Sequence, residues 1–428
     1  MRAILAAAAA IALIAPVATA QITTQSPQPA PTVVDTLGVP ETPEASSGGE
    51  EGAKVSISPK VYAPFLWSPT AGLGIGYGVE VQNLGWAGSS VLVTGLTSQR
   101  IGRYGVYAST RTPYAPGVNA MLGGTFETTG RRYYYGVGPF SDLDNKIAVE
   151  KQTYEAEARL GYSDAPRAAR RVQAFGRYQF HQTRTAKDLK TGAQSRLDSV
   201  SAANLAFALA HDIGVVTGGV EAIWDERNNI FVPRYGFIGQ VGVSYTAATS
   251  GADVSFLRTY GSFNYFLPIE WRSSTVHARV VVSSVDNVRG NDPVPFFLLP
   301  TFDTDYGLGL ATQRFYANDF FLASGEVQSP VFLTGFLDID AIAGATFYNA
   351  YDNIFRQFLP IPSLAQNRPD DDRYPLRMAL GGGLRMSSAL VPGLVLHGQL
   401  GFGPEGLSFT TFNLVADLRA ARPILRGL

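Results

Sequence analysis

Apolar and polar residues alternate with a period of two along most of the chain after residue 54. In residues 151–163, for example, one face carries Tyr154, Ala156, Ala158, Leu160 and Tyr162, and the other carries Glu155, Glu157, Arg159 and Gly161. This alternation indicates β-strands with one apolar and one polar face. The segments are roughly ten to fourteen residues long, whereas strands of soluble proteins average about five or six, and a tilted strand needs about nine to eleven to cross a bilayer. The pattern therefore predicts strands that span a membrane.

We predict sixteen such strands, at residues 55–65, 72–83, 89–98, 103–112, 117–127, 151–163, 170–182, 214–226, 236–247, 254–267, 274–286, 318–330, 336–349, 375–388, 391–402 and 408–418. Backbone groups in hydrocarbon have no water to bind, so a membrane-spanning sheet must close on itself. We therefore expect an all-β fold, a transmembrane antiparallel β-barrel of about 16 strands, with apolar faces toward lipid and polar faces toward the lumen. A soluble β-sandwich or propeller is the alternative, and the strand lengths and charged inward faces argue against it.

The long connections between the predicted strands all lie at one end of the barrel. Every long connection follows an odd-numbered strand: residues 128–150, 183–213, 287–317 and 350–374. The connections after even-numbered strands are short, such as 84–88, 113–116, 164–169, 268–273 and 331–335. Outer-membrane barrels have short periplasmic turns and longer outer loops. The alternation therefore predicts that odd-numbered strands run outward from the periplasm. A helix-like pattern at residues 197–211 predicts a helix inside one outer loop.

The residues before the predicted barrel have two different compositions. Residues 1–20 resemble a secretory signal peptide, with Arg2 before an Ala/Leu/Ile run and Ala18-Thr19-Ala20 as a cleavage site of small residues. Residues 21–53 are rich in Pro, Ser, Thr, Gly and Glu, and we expect a disordered spacer because they cannot bury a core. The barrel is assigned to residues 54–428. Export of a barrel of this kind predicts the cell outer membrane of a Gram-negative bacterium.

Composition narrows the chemistry that this chain can perform. It has no cysteine, a net charge of -1 and only 16% charged residues. These values exclude disulfides and thiolate catalysis, and they predict no nucleic-acid partner. The four histidines do not occur at metal-ligand spacing, and no nucleophile elbow is present. We therefore predict no catalytic residue, no metal ligand and no cofactor, and we expect a barrel that is not an enzyme.

Charged residues recur on the predicted inward faces: Glu155, Glu157, Arg159, Arg177, Glu221, Asp225, Arg279, Glu326 and Arg385. One interpretation is a solvated or mutually paired lumen, and the other is a selectivity lining for a solute pathway. Both stay open because cross-strand neighbours are unknown from sequence. Expected partners are outer-membrane lipid and lipopolysaccharide. The acidic run at residues 370–373 is interpreted as a solvated outer loop or as a contact with divalent cations or lipopolysaccharide.

Three segments resemble motifs of one family of outer-membrane barrels. Trp224-Asp225-Glu226-Arg227-Asn228-Asn229 with Pro233-Arg234-Tyr235-Gly236 resembles a strand end and turn, and Tyr134-Tyr135-Gly136-Val137-Gly138-Pro139 resembles an early outer loop. Phe296-Phe297-Leu298-Leu299, Arg314-Phe315 and the strand that ends at Ser329-Pro330 resemble the sixth outer loop and the strand after it. In this order, over residues 72–418, the segments resemble the Omp85 superfamily, the BamA and TamA type also called bacterial surface antigen.

The resemblance implies candidate residues and also departures from the family. In the family, the sixth loop has a Val/Leu-Arg-Gly-Phe/Tyr tip whose arginine reaches into the lumen and pairs with the wall. In this chain the matching stretch contains Tyr306-Gly307 and has no arginine. An Arg-Gly pair of the family type, Arg289-Gly290, lies before this stretch, and Arg314-Phe315 lies after it. Arg289 and Arg314 are therefore the candidate lumen anchors. The spacer is too short for the POTRA domains that gather periplasmic clients in the family, so we expect a barrel without them.

Three hypotheses for function follow. The first is an Omp85-like barrel that assists membrane insertion or export of a protein or lipid client, by opening the seam between strand 55–65 or 72–83 and strand 408–418, where weak pairing exposes strand edges. The alternative is a passive or selective porin-like channel for small solutes. The third is a structural or adhesive barrel that acts through its outer loops. A 287–317 loop that plugs the lumen argues against the passive pore. We expect a monomer.

Overall fold

The computed structural model describes residues 55–68, 72–84, 89–98, 101–111, 117–139, 141, 143–163, 170–185, 197–229, 232–301, 308–310, 314–334, 337–354, 376–388, 394–404 and 406–416. The predicted signal peptide, the predicted spacer, the acidic run at residues 370–373 and the candidate pair Tyr306-Gly307 lie outside the described residues.

Sixteen antiparallel strands follow one another in chain order: β1 (Ser56–Ser68), β2 (Gly72–Gln82), β3 (Ser89–Ser98), β4 (Ile101–Arg111), β5 (Val118–Tyr134), β6 (Ile147–Ser163), β7 (Arg170–Thr185), β8 (Ile213–Asp225), β9 (Gly236–Ser250), β10 (Ser255–Ile269), β11 (Ser274–Arg289), β12 (Asp319–Leu333), β13 (Leu337–Tyr351), β14 (Arg377–Ser388), β15 (Leu394–Gly403) and β16 (Gly406–Ala416). They form one sheet in which each strand pairs with the next. Because β16 also lies beside β1, with Cα atoms within 8 Å, the sheet curls into a barrel. The predicted antiparallel β-barrel is confirmed.

The seam between β1 and β16 differs from the other strand boundaries. Every consecutive pair from β1–β2 to β15–β16 has an antiparallel backbone ladder, whereas no ladder joins β1 to β16 among the described residues. The ladder between β1 and β2 is itself irregular, with register shifts between Lys60 and Ala63 and between Ala63 and Leu66. Pro59 and Pro64 lie in this strand and have no N–H to donate. Among the described residues, the backbone pairing of the wall is therefore weakest at this seam.

The alternation along each strand gives the wall two faces. Along β6, Leu160 and Tyr162 project outward, with 59% and 56% of their surface exposed on the isolated chain. Glu157 and Arg159 project inward and are only 6% and 4% exposed. In a membrane the outward set contacts lipid and the inward set faces the lumen. This arrangement agrees with the predicted orientation of the apolar and charged faces.

The longest connections all lie at the outer end of the barrel. The β5–β6, β7–β8, β11–β12 and β13–β14 connections are long, and each follows an odd-numbered strand, as predicted. However, β5 and β6 extend beyond the predicted bounds of residues 127 and 151, and their ladder continues to Tyr134 and Ile147. The prediction stopped too early because residues such as Thr128 and Thr129 lack the apolar outward face by which a membrane-spanning strand is recognised.

In the described residues, one α-helix and three 3₁₀ turns lie in the connections between the strands. Helix α1 (Ser199–Ala210) lies in the β7–β8 loop, within one or two residues of the predicted bounds, and Asp198 caps it by accepting a hydrogen bond from the Ser201 N–H. The 3₁₀ turns are Leu143–Asn145, Trp271–Ser273 and Phe296–Leu298. Among the residues that the structure describes, no helix combines the length and the apolar character needed to cross a membrane.

Candidate functional site

A connected set of polar side chains, here called the lumen network, covers the inner wall from β6 to β10. Its members are Glu155, Glu157, Arg159, Gln173, Arg177, Glu221, Gln240 and Tyr260. Glu221 is the centre and is 2% exposed. One of its oxygens accepts from Arg159 at 2.9 Å and from Gln173, and the other accepts from Gln240 at 2.9 Å and Tyr260 at 2.7 Å. Donors from four different strands thus converge on one buried carboxylate.

The remaining charges of the lumen network are paired with one another. Arg159 also donates to Glu157 at 2.6 Å, and Arg177 donates to the same glutamate at 2.9 Å. Arg177 lies 3.8 Å from Glu155. Because a buried charge without a partner is costly, pairing is the arrangement that this wall requires. These distances favour the mutually paired interpretation of the lumen charges, which stays a prediction.

Other parts of the lumen wall differ in their hydration and charge. On β4 and β5, Arg103 and Glu127 face the lumen 3.5 Å apart, and their side chains are 43% and 39% exposed. Water therefore reaches this side of the lumen. On the opposite side, Glu326 of β12 lies 3.4 Å from Nδ1 of His277, which is 4% exposed.

Three further predicted lumen charges lie near the periplasmic end. Arg385 of β14 donates to Asp340 of β13 at 2.8 Å. Arg279 donates to Asn264 at 2.6 Å. Asp225 instead bonds Arg227 in the β8–β9 turn, at 2.7 Å, and so belongs to a turn.

The described residues of the β11–β12 loop, 290–301, 308–310 and 314–318, lie in the lumen. Near its start, Phe297 packs on His181 of β7, with ring centroids 5.0 Å apart. Farther along, Gly309 lies so close to Ala379 of β14 that an added Cβ would be 2.7 Å from the alanine Cβ. In a sixteen-stranded barrel, β7 and β14 lie on nearly opposite sides. The described residues of this loop therefore bridge the two sides of the lumen.

An apolar core, here called the outer cap, joins the outer ends of the strands to three outer loops. Its buried members are Tyr134, Ile147, Val149, Leu205, Ala208, Ile213, Val215, Val254, Phe256, Val285, Val294, Phe296, Phe297, Leu299 and Tyr316. Hydrogen bonds connect the loops as well: Asn204 of α1 donates to Val294 O at 2.8 Å and accepts from the Phe296 N–H at 2.9 Å. The β7–β8, β9–β10 and β11–β12 loops all contribute to this apolar core and therefore pack together over the outer mouth.

The early-loop motif at residues 134–139 is held inside the outer cap. The Tyr134 hydroxyl donates to Ser201 O at 2.7 Å, and the Gly138 N–H donates to Tyr316 O at 2.7 Å. Gly136 has a φ of +116°, and a side chain there would meet the Ser201 hydroxyl at 2.9 Å. A glycine is therefore required where this loop passes α1.

The sixth-loop candidates occupy different places. Arg314 is 4% exposed and donates to the hydroxyl and the backbone oxygen of Ser141, at 2.7 and 2.6 Å. Phe315 packs on the inner wall in a second apolar cluster that includes Phe320, Leu322 and Tyr348. Arg289 and Gly290 lie at the outer end of β11, and Arg289 is exposed. Arg314 is thus the candidate arginine that is buried, and its role as a lumen anchor stays a prediction.

Several residues of the site were not singled out from sequence. Asp340 and Tyr260 lie at inward positions of predicted strands, so the alternation was the signal that could have found them. Tyr316 gave no such signal, because it lies in a loop. In the described part of the chain, no three His, Asp or Glu side chains gather as possible metal ligands.

The family can be identified from a comparison with protein-family models. A model described as the Omp85 superfamily domain matches residues 108–393, which is more than half of the chain. The chain belongs to the Omp85 superfamily. The matched region extends from β4 to the connection before β15, so it includes the lumen network, the outer cap and the loop that crosses the lumen.

Comparison with solved structures bears on the barrel fold, and one match exceeds a TM-score of 0.5. This Omp85 chain is similar to BamA from Haemophilus ducreyi lacking POTRA domains 1–3, with a TM-score of 0.59 and 15% identity over 84% of this chain and 70% of that chain. CdiB from Escherichia coli matches with a TM-score of 0.47 and 12% identity, over 83% of this chain and 61% of that chain. No curated protein matches the sequence. The fold and the family imply the bacterial outer membrane and support, in general terms, a role in protein insertion or secretion.

Proposed function

We propose that this Omp85 barrel assists the membrane insertion or export of a protein or lipid client, which leaves through the β1–β16 seam. The main support is the contrast between the two possible exits. The outer mouth is covered by the outer cap, and the β11–β12 loop crosses the lumen beneath it. The seam, in contrast, is the adjacent strand pair without a ladder among the described residues.

Strand-edge chemistry supports this mechanism. An unpaired strand edge presents N–H and C=O groups that a client strand can bind in place of water. Opening at β1–β16 breaks fewer backbone hydrogen bonds than opening between any two strands that share a ladder. The proposal assigns the barrel no enzymatic activity and no cofactor. Its operation as a monomer without POTRA domains stays a prediction.

The proposal can be tested by locking the seam. Because the chain has no cysteine, one cysteine scanned along β1 and one along β16 give a disulfide that forms only across the seam. A matched control is Ala222→Cys with Val241→Cys, which joins β8 to β9 at registered positions. We expect the seam disulfide to deplete other outer-membrane proteins or lipids in a strain that depends on this barrel, with recovery after reduction. A seam lock that behaves like the control lock would contradict the proposal.

The alternative, a passive or selective pore, is supported by one observation. Arg103 and Glu127 are hydrated inside the lumen, so water enters part of the barrel. A pore predicts stable single-channel conductance in planar bilayers that changes when Arg279 or Glu326 is replaced by alanine. If the folded barrel gives no conductance, the pore hypothesis is contradicted and the insertion and export proposal stands.

A further inference from the structure

The connection between β8 and β9, residues 226–235, is the longest of the periplasmic turns. Several hydrogen bonds order its described residues, 226–229 and 232–235. Arg227 donates to both oxygens of Asp225, at 2.8 and 2.7 Å. The side-chain oxygen of Asn228 accepts from the N–H groups of Arg234 and Tyr235, at 2.9 and 3.1 Å. The end of the turn that carries Arg234 is therefore positioned by the turn itself.

This turn extends beneath the lumen. The hydroxyl of Thr275, on β11, donates to Arg234 O at 3.4 Å. The Arg234 side chain then reaches β13, where its Nη2 lies 2.7 Å from Oδ1 of Asp340. Because β13 is four strands away from β9 around the curved wall, the connection passes under the lumen and covers part of its periplasmic mouth.

The two members of the Arg234–Asp340 ion pair differ in their burial. Asp340 is fully buried, and it is shared with Arg385, which donates at 2.8 Å. The Arg234 side chain is 26% exposed, whereas that of Arg385 is 9% exposed. If Arg234 leaves, it gains water and Asp340 keeps the Arg385 partner, so the large cost of an unpaired buried carboxylate is avoided. The contact is thus suited to opening and closing.

We propose that the described residues of this turn, 226–229 and 232–235, form a periplasmic strap, and that the Arg234–Asp340 pair is its latch. The closed strap covers the lumen on the side of β9–β13. This inference concerns the periplasmic entrance and does not depend on which client or solute the barrel carries.

The strap can be tested by measuring access to the lumen in the full-length chain. Since the chain has no cysteine, Ser324→Cys provides a single thiol on the inner face of β12, farther from the periplasm than the latch and only 6% exposed. The probe is a water-soluble maleimide added to the folded barrel in detergent micelles. Arg234→Gln is expected to raise the labelling rate at least about tenfold, equivalent to about 1.4 kcal/mol in the opening equilibrium.

Two controls separate strap opening from general loosening. Arg272→Gln removes an exposed arginine from the neighbouring β10–β11 turn and should leave the rate unchanged. Thr183→Cys, which is buried at the outer end of β7, should be labelled at the same rate with and without Arg234→Gln. An unchanged Ser324→Cys rate in the Arg234→Gln variant, or an equal rise with Arg272→Gln, would overturn the proposal.

Folding of each variant is checked by heat-modifiability on gels. If Arg234→Gln does not fold, Asn228→Ala provides the test, because it removes two hydrogen bonds within the turn and uncovers no buried charge. It should raise labelling of Ser324→Cys in the same direction. A wild-type rate in this folded variant would show that the turn does not control access. Since no client is needed, this outcome is independent of the seam-locking experiment.

Discussion

Replacing Glu221 by glutamine should destabilise the barrel far more than replacing a hydrated lumen acid. The carboxylate accepts hydrogen bonds from four donors, two on each oxygen. A glutamine has one oxygen, so its NH₂ group would face two of these donors. The substitution therefore removes a charge and also sets donors against donors in a buried position.

The magnitude follows from what Arg159 loses. Breaking a buried ion pair by removing one partner costs about 3–5 kcal/mol, since a buried charge is left without compensation. Arg159 keeps Glu157 at 2.6 Å, so we expect the lower end of this range, about 3 kcal/mol in the free energy of unfolding. Glu127→Gln is the matched control, because its partner Arg103 is 3.5 Å away and both side chains are partly hydrated. Its cost should stay below about 1 kcal/mol.

The assay is a urea titration of the folded barrel in lipid vesicles, with the folded fraction read from the gel shift of unheated samples. Both variants are compared with the wild-type chain at the same lipid composition. A cost below about 1 kcal/mol for Glu221→Gln, or equal costs for the two variants, would refute the reasoning. It would mean that water or counter-ions in the lumen stabilise the Arg159 charge as well as the Glu221 carboxylate does.

Three other outcomes are expected. Gly242→Ala should lower stability in the same titration, because its Cβ would collide with the Tyr260 ring, whereas Gly218→Ala has open space around its Cβ and should not. Phe297→Ala should lower the free energy of unfolding by about 3–5 kcal/mol, because the ring is 6% exposed in the outer cap. Planar-bilayer recordings of this variant should also show more frequent open events. Unchanged recordings would mean that Phe297 does not seal the lumen. Deletion of residues 25–50 should leave heat-modifiability intact, and a lost gel shift would show that the predicted spacer is part of the fold.

The barrel could be predicted because its cause is local. A period of two depends only on the pleat of a single strand, and hydrocarbon forces every backbone group to find a partner within the sheet. The same reasoning placed Glu157, Arg159 and Glu221 on the inner face, and a separate helix-like pattern placed α1 in an outer loop. It failed at the outer ends of β5 and β6, because strands that leave the bilayer no longer need an apolar face.

Which side chains bind each other, in contrast, was decided by the tertiary structure. Arg159 and Glu221 are 62 residues apart, Arg234 and Asp340 are 106 apart, and Arg314 reaches Ser141 across 173 residues. Which of these side chains meet depends on strand register, on the curvature of the closed wall and on whether a loop folds inward. None of these has a local pattern in the chain. The alternating residues therefore determine which groups face the lumen, and only closure of the sheet determines which of those groups bind each other.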